Sequence, residues 1–284
     1  MVAKSRAASA AVGYLGPRGT HSEEAVLSLY PDGERELVAY PRIDTVIRAV
    51  AAGEIAEGVV PIENSLEGAV NITLDTLAHD VDLGIAGELV WPVSHHLLVK
   101  EDSGEIRVIV SHIQALAQCR RYLARHYPHA EQKVVDSTAE AARLVSLAAD
   151  GSAAVASATA GKMYGLTVAA GPIQDDGANY TRFVVLRRQA AVAGPGEWKT
   201  SLAFQINGQR PGSLCEVLSE FAGRGVNLTR IESRPARTGL GVYIFFIDVQ
   251  GSLADRPVSE ACEAIRSQAL WFKNFGSYPV LRKS

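Results

Sequence analysis

The chain has 284 residues, 47% of them hydrophobic and 21% charged, with a formal net charge of -3. That length leaves room for two domains with sizeable cores. The 28 basic residues are scattered and form no stripe beyond pairs such as Arg187-Arg188, which speaks against nucleic acid as a partner, and no run approaches the ~18 apolar residues of a membrane span. Residues 1–10, MVAKSRAASA, are too weakly apolar for a signal peptide and read as a flexible tail. The cysteines (Cys119, Cys215, Cys262) are far apart, and each lies in a helix-like stretch. They read as buried thiols of a cytoplasmic protein, not as a disulfide framework or a zinc site.

From residue 11 to 188, β-like runs alternate with helical ones. VGYLG, GVVPI, DLGIAGELV, IRVIV, KVVD, LTVAA and FVVL read as strands, and DTVIRAVAAG, ALAQCRRYLARHY and STAEAARLVSLAAD as helices. The alternation predicts an α/β domain with parallel or mixed sheets, built as one unit or as two lobes. Residues 189–199, QAAVAGPGEWK, have no period and contain Gly-Pro-Gly, the composition of a linker. From 200 to 284 the pattern changes. Strand SLAFQI, helix PGSLCEVLSEFAGRG, strands VNLTRIESRP and LGVYIFFIDVQG, helix RPVSEACEAIRSQAL and strand FKNFGSYPVL follow in turn. This βαββαβ order is the ferredoxin-like motif.

Three stretches of the first domain have the spacing of capping boxes: Thr20 with Glu23, Ser111 with Gln114, and Ser137 with Glu140. For Ser137 and Glu140 a plain helix cap accounts for the pattern. The other two follow an apolar strand or its flanking glycine, where a helix N-terminus points its N–H groups into the cleft of an open α/β sheet and favours anions. PIENSLEGAV offers Glu63, Asn64 and Ser65 at the same kind of edge. In GANYTRF (177–183) the alternation of a strand sets Thr181 and Phe183 on one face and Arg182 on the other. Taken alone, Arg182 reads as a solvated arginine at a strand edge. Beside those loops it becomes the positive charge for a bidentate contact to a carboxylate. There is no GxxxxGK[ST], no GxGxxG after a strand, no HExxH and no GxSxG, and His95 and His96 point to opposite faces of a strand. What is left is a site for a small carboxylate with no metal and no cofactor.

These residues resemble the prephenate dehydratase family with a C-terminal ACT domain. The resemblance rests on GPRGTHSEEA, PIENSLEGAV, SHIQALAQC, IQDDGANYTRF, GSLCEVL and NLTRIESRP, in that order, from about residue 11 to 282. It implies a two-lobed catalytic domain over 11–188 that resembles type II periplasmic binding proteins, with the substrate between the lobes. It also implies a 1,4-elimination of carbon dioxide and water from prephenate to phenylpyruvate, in phenylalanine biosynthesis. Carried over, the TRF motif makes Thr181, Arg182 and Phe183 catalytic, Thr181 as the essential group. Asn64, Ser65, Thr20, Ser111, Gln114 and Asn179 are then substrate contacts, and Arg182 is the anchor for a substrate carboxylate. A threonine hydroxyl is too weak an acid to protonate water outright, so Thr181 acts as a positioned donor to the leaving hydroxide. Ile113 stands where the family usually has proline after the Ser-His pair.

The resemblance further implies that the βαββαβ domain over 200–284 is an ACT sensor that binds phenylalanine and inhibits by feedback. The implied effector residues are Gly212, Ser213, Leu214, Asn227, Leu228, Thr229, Glu232, Ser233 and Arg234, at an interface formed by self-association into a dimer or tetramer. Two readings compete with the dehydratase: an arogenate dehydratase, with the same chemistry on an aminated substrate, and a two-lobed sensor without catalysis, which would not need Thr181. A transcription cofactor would need a helix-turn-helix or a basic stripe, and the chain offers neither.

Overall fold

The computed structural model describes residues 10–31, 33, 35–101, 103–148, 151–189, 194, 196–208, 210–239 and 241–281. Of the expected tail, residues 1–9 lie outside the described residues, as do 190–193 and 195 of the expected linker.

The first lobe is built from β1 (Val12–Leu15), α1 (His21–Leu29), β2 (Leu37–Tyr40), α2 (Ile43–Ala52), β3 (Glu57–Asn64), β4 (Gly68–Ala69), α3 (Asn71–His79) and β5 (Gly84–Pro92). The second takes β6 (His96–Val99), β7 (Val108–Ser111), α4 (Ile113–Gln118), α5 (Arg120–His126), β8 (Glu131–Val134), α6 (Thr138–Leu147), β9 (Ser152–Ala156), α7 (Ala158–Tyr164) and β10 (Thr167–Ala170). The chain then returns to the first lobe as β11 (Tyr180–Arg187), which lies antiparallel between β3 and β5. Two connections therefore join the lobes, after β5 and before β11. The second lobe has its own sheet, in the order β10-β6-β9-β7-β8. Its centre is β9, SAAVA, an alanine-rich strand with weak strand propensity that composition did not single out. Its small side chains let α6 lie close, with Ala141, Ala142 and Val145 fully buried against it.

The remaining elements are β12 (Trp198–Gln205), α8 (Ser213–Ala222), β13 (Leu228–Pro235), β14 (Tyr243–Gln250), α9 (Arg256–Gln268) and β15 (Trp271–Leu281). Strand order β13-β14-β12-β15 is that of the ferredoxin-like motif. Alternation gives this sheet two buried faces. Leu202, Phe204, Ile247 and Val249 pack under α8 and α9. Ala203, Ile244, Phe246 and Tyr278 join Leu74, Leu77, Val184 and Leu186 of the first lobe in one shared core. The end of β15 also pairs in parallel with β5, Val280 opposite Glu88, so the sheets of the first lobe and of the βαββαβ unit run into one another. Cys119 and Cys262 are buried as expected, and burial pushes their thiols up to about 12 and about 11; Cys215 is exposed, because it falls on the outer side of α8. No helix among the described residues is long and apolar enough to cross a membrane.

Candidate active site

A cavity of about 510 Å³ opens between the two lobes. The first lobe lines it with Leu15, Thr20, His21, Pro61, Asn64, Thr181 and Phe183, and the second with His112, Gln114, Gln118, Ser137 and Thr138. The starts of α1, α4 and α6 all reach it, as expected of helices that begin where strands end.

Thr181 sits on β11 opposite Asn64 on β3 and Trp91 on β5. The β3–β11 register slips between Arg182 and Phe183, a bulge of the kind that aims side chains beside a site. Asn64 is held firmly. Its Oδ1 accepts from the N–H groups of Leu66 and Glu67 at 2.9 and 3.1 Å. Its Nδ2 donates to Thr181 Oγ1 at 3.0 Å, to Asn179 Oδ1 at 3.0 Å and to the Tyr180 carbonyl at 3.2 Å. Because the amide donates to Thr181, the threonine's own proton is directed elsewhere. Asn179 donates in turn to Gln118 Oε1 at 2.8 Å, and His95 Nε2 meets the same oxygen at 2.8 Å. An amide oxygen only accepts, so this network assigns the His95 proton to Nε2 and leaves Nδ1 as the acceptor nitrogen. That nitrogen is buried and has no hydrogen-bond partner. Burial first, and then the neighbouring His21 and His96, hold the His95 imidazole down to about 4, against a smaller upward pull from Gln118. At neutral pH it is uncharged. His21 stands edge-on to it, ring centroids 5.6 Å apart, with its Nδ1 2.9 Å from Glu24 Oε2. Burial alone would raise the Glu24 carboxyl, but His21 and the hydroxyls of Thr159 and Ser157 bring it to about 2.

The structure corrects several expectations. Arg182 does not reach the cavity. The alternation that turns Thr181 and Phe183 inward turns its guanidinium to the opposite face, where it is 9% exposed among Glu88, Glu63 and Asp248. Among the described residues that line the cavity there is no lysine or arginine. Ser111 is not a cap or a cavity contact: it ends β7, fully buried, and donates to the Val155 carbonyl at 2.5 Å, while His112 Nδ1 caps α4. Ser65 is turned away as well, donating to Ala178 O and accepting from the Tyr180 N–H, which ties the 64–67 turn to the 177–180 loop. Thr20 caps α1 and lines the cavity, but its hydroxyl is engaged, donating to Leu15 O and accepting from Glu23 N. Glu23 reaches back one residue further than a capping box requires, to Gly19 N at 2.6 Å. Ser137 caps α6 as read, and also lines the cavity.

Sequence reasoning missed His21, His95, His112, Gln118 and Asp136 as lining residues. Gln118 had a signal: it lies four positions after Gln114, one helical turn along the same face. For His95 the alternation of the His pair was the signal, since His96 lines a different pocket from His95.

In the βαββαβ unit a second cavity of about 350 Å³ is lined by Arg210, Gly212, Ser213, Leu214, Tyr243 and Phe245, among others. Gly212 precedes α8 at φ 85°, a left-handed conformation that favours glycine. Asn227, Leu228, Thr229, Glu232, Ser233 and Arg234 lie on or beside the edge strand β13 and do not line it. Arg234 is turned to the first lobe, where its Nε and Nη2 meet Asp75 at 3.2 and 3.0 Å.

Comparison with known proteins agrees with this architecture. Residues 12–191 match the family model for prephenate dehydratase and residues 205–265 that for the ACT domain. A bifunctional chorismate mutase/prephenate dehydratase of Stutzerimonas stutzeri is 43% identical over 94% of this chain and 73% of its own. A prephenate dehydratase of Lactococcus lactis is 40% identical over 95% of this chain and 97% of its own. Among solved structures, prephenate dehydratase from Arthrobacter aurescens in complex with L-Phe is 34% identical, with a TM-score of 0.87 over 96% of this chain and 91% of that one. Matched in this way over nearly its whole length, the chain belongs to the prephenate dehydratase family and carries an ACT domain.

Proposed function

We propose that the cavity between the lobes binds prephenate and converts it to phenylpyruvate, with Thr181 as the group that assists departure of the ring hydroxyl. The observation that carries this reading is the 3.0 Å hydrogen bond from Asn64 Nδ2 to Thr181 Oγ1. It occupies one lone pair of the hydroxyl and leaves the proton free, which supports a donor role toward the cavity. As the bond to the departing carboxylate breaks, its electron pair moves into the ring and the C–O bond opens. The leaving hydroxide then meets the Thr181 proton. A donor set in advance, in a partly desolvated site, strengthens as that charge develops and needs no reorganisation. Aromatisation of the ring supplies much of the driving force.

With Arg182 on the far face, the substrate carboxylates are held by other groups. Helices α1 and α6 present first-turn N–H groups, and Gln114, His112 and Thr138 add side chains. Phe183 and Val93 form apolar lining suited to the ring. Residues 11–188 form the catalytic unit on this reading, and 200–284 the regulatory one, which binds phenylalanine and inhibits. Gly212, Ser213 and Leu214 line the cavity at α8, whereas the 227–229 and 232–234 segments lie apart from it within one chain. A pair of chains would bring the two sets together, so effector binding and self-association are one event in this proposal.

The test is phenylpyruvate formation from prephenate by the purified protein, with a chelator present and arogenate run in parallel. Rapid product from prephenate, lost in Thr181→Ala, supports the assignment. Turnover of arogenate alone, or near-normal turnover by the variant, overturns it.

A further inference from the structure

The residue next to Thr181 stands in a buried cluster of charges that belongs to both domains. Arg182 Nη1 is 2.9 Å from Glu88 Oε2 on β5 and 2.7 Å from Asp248 Oδ2 on β14, and its Nε is 3.1 Å from Glu63 Oε2 on β3. Glu88 also receives Lys199 of β12 at 2.6 Å, and Glu63 lies 3.6 Å from Arg230 of β13. Asp248 accepts from Ser201 at 2.5 Å, whose hydroxyl touches that of Tyr278 at 2.6 Å. Three cations (Arg182, Lys199, Arg230) face three anions (Glu63, Glu88, Asp248), so the cluster is neutral as a whole, and Glu88 and Asp248 are essentially inaccessible to water. Taking one partner away leaves an uncompensated buried charge.

We propose that Arg182 is a positioning residue, through which the βαββαβ domain sets the placement of the Thr181 hydroxyl. The connection is covalent on one side, since Arg182 and Thr181 are neighbours on β11. It is electrostatic on the other, through Asp248. Strand β14 completes the path. Tyr243 and Phe245 line the 350 Å³ cavity on the side of α8, and Asp248, three residues further and on the opposite face, meets Arg182. A ligand in that cavity bears on the same strand whose other face holds Arg182. On this proposal a ligand-induced shift of β14 is carried through Asp248 to Arg182, and a shift of about 1 Å at a reacting group costs on the order of 100-fold in rate. This inference rests on the proposed role of Thr181 and on phenylalanine as the effector.

The experiment is steady-state turnover of prephenate, with and without saturating L-phenylalanine, for Asp248→Asn and Arg182→Lys in the full chain. Arg237→Ala, which removes another interdomain contact, to Asp75, is the control. The expected result is a kcat lowered about 10- to 100-fold with KM within about twofold, and loss of the response to phenylalanine. Arg182→Lys, which keeps the charge but not the fork, falls between the parent and Asp248→Asn. Arg237→Ala lowers the melting temperature and keeps both kcat and inhibition. If Asp248→Asn does not fold, Arg182→Lys decides alone. Variants of native size that keep parental kcat and parental inhibition overturn the proposal, as does a change confined to melting temperature. Thr181→Val in the same series separates the two readings: if it stays active, the role of Thr181 fails and this proposal with it; if it is inactive while Asp248→Asn and Arg182→Lys keep parental kcat and inhibition, the role of Thr181 stands and this proposal alone fails.

Discussion

Thr181→Val is the sharpest perturbation of the proposed chemistry, because valine nearly keeps the shape and the strand preference of threonine and puts a methyl group where the hydroxyl was. The hydroxyl accepts from Asn64 Nδ2 at 3.0 Å, and that amide keeps Asn179 Oδ1 at 3.0 Å and the Tyr180 carbonyl at 3.2 Å when Thr181 is gone. Lost folding stability is therefore about 1 kcal/mol or less, one hydrogen bond with its donor still satisfied. The effect on the transition state is larger. Removing one preorganised donor from a developing oxyanion costs about 2.7–4 kcal/mol, on the order of 100- to 1,000-fold in kcat. Because the donor acts on charge that forms only as the C–O bond breaks, KM stays within about twofold. Phenylpyruvate appearance at saturating prephenate gives kcat, a substrate series gives KM, and a thermal melt confirms the fold. A kcat within about threefold of the parent, in a protein that melts normally, would refute the assignment. A large rise in KM at constant kcat would make Thr181 a binding group only.

Other outcomes follow from the same network. Gln118→Ala removes the oxygen that takes both Asn179 Nδ2 and His95 Nε2, leaving two donors without a partner; a stability loss of about 2–4 kcal/mol in urea titration is expected, with a raised KM. Stability also depends on pH through His95, whose imidazole titrates at about 4 in the fold against an ordinary value of 6.5. The unfolded chain binds the proton first as pH falls, so stability is lost between pH 6.5 and about 4 by up to ~3 kcal/mol, and His95→Gln flattens that slope in urea melts. L-phenylalanine at about 100 times its Kd should stabilise the protein by about 2.7 kcal/mol, seen as a higher Tm, and Tyr243→Ala should reduce the shift. An unchanged Tm in the parent would remove the effector site from the second domain.

Much of the fold was legible because its elements carry strong local signals. The runs at 58–62 and 183–186 and the periodic helix of 138–147 stand out by alternation or by capping, and in residues 200–284 the βαββαβ order followed from the same kind of local signal. Strands without such a signal were missed. SAAVA of β9 is central to the second sheet, yet its placement depends on the neighbours it pairs with rather than on its own propensity. The helix ALAQCRRYLARHY breaks at Cys119 into α4 and α5, where the backbone leaves the helical region at φ -109°, ψ 11° without a proline or glycine to announce it.

The site divides in the same way. Sequence alone determined which residues could be neighbours along one strand, and so which face each takes: Thr181 and Phe183 together, Arg182 opposed, His95 and His96 opposed. The period of a strand is a local property of the backbone, and it held. What a face looks toward is decided only by the tertiary structure. The far side of β11 meets neither water nor substrate but Glu88 and Asp248, because a second domain continues the sheet through β15 and covers it. A buried arginine needs carboxylates from elsewhere in the chain, here Glu88 at 94 positions' separation, and no local pattern records a partner so distant. For the same reason the chain from Thr181 through Asn64 and Asn179 to Gln118 and His95 exists only in the folded molecule, where two lobes bring four separate stretches within hydrogen-bonding distance.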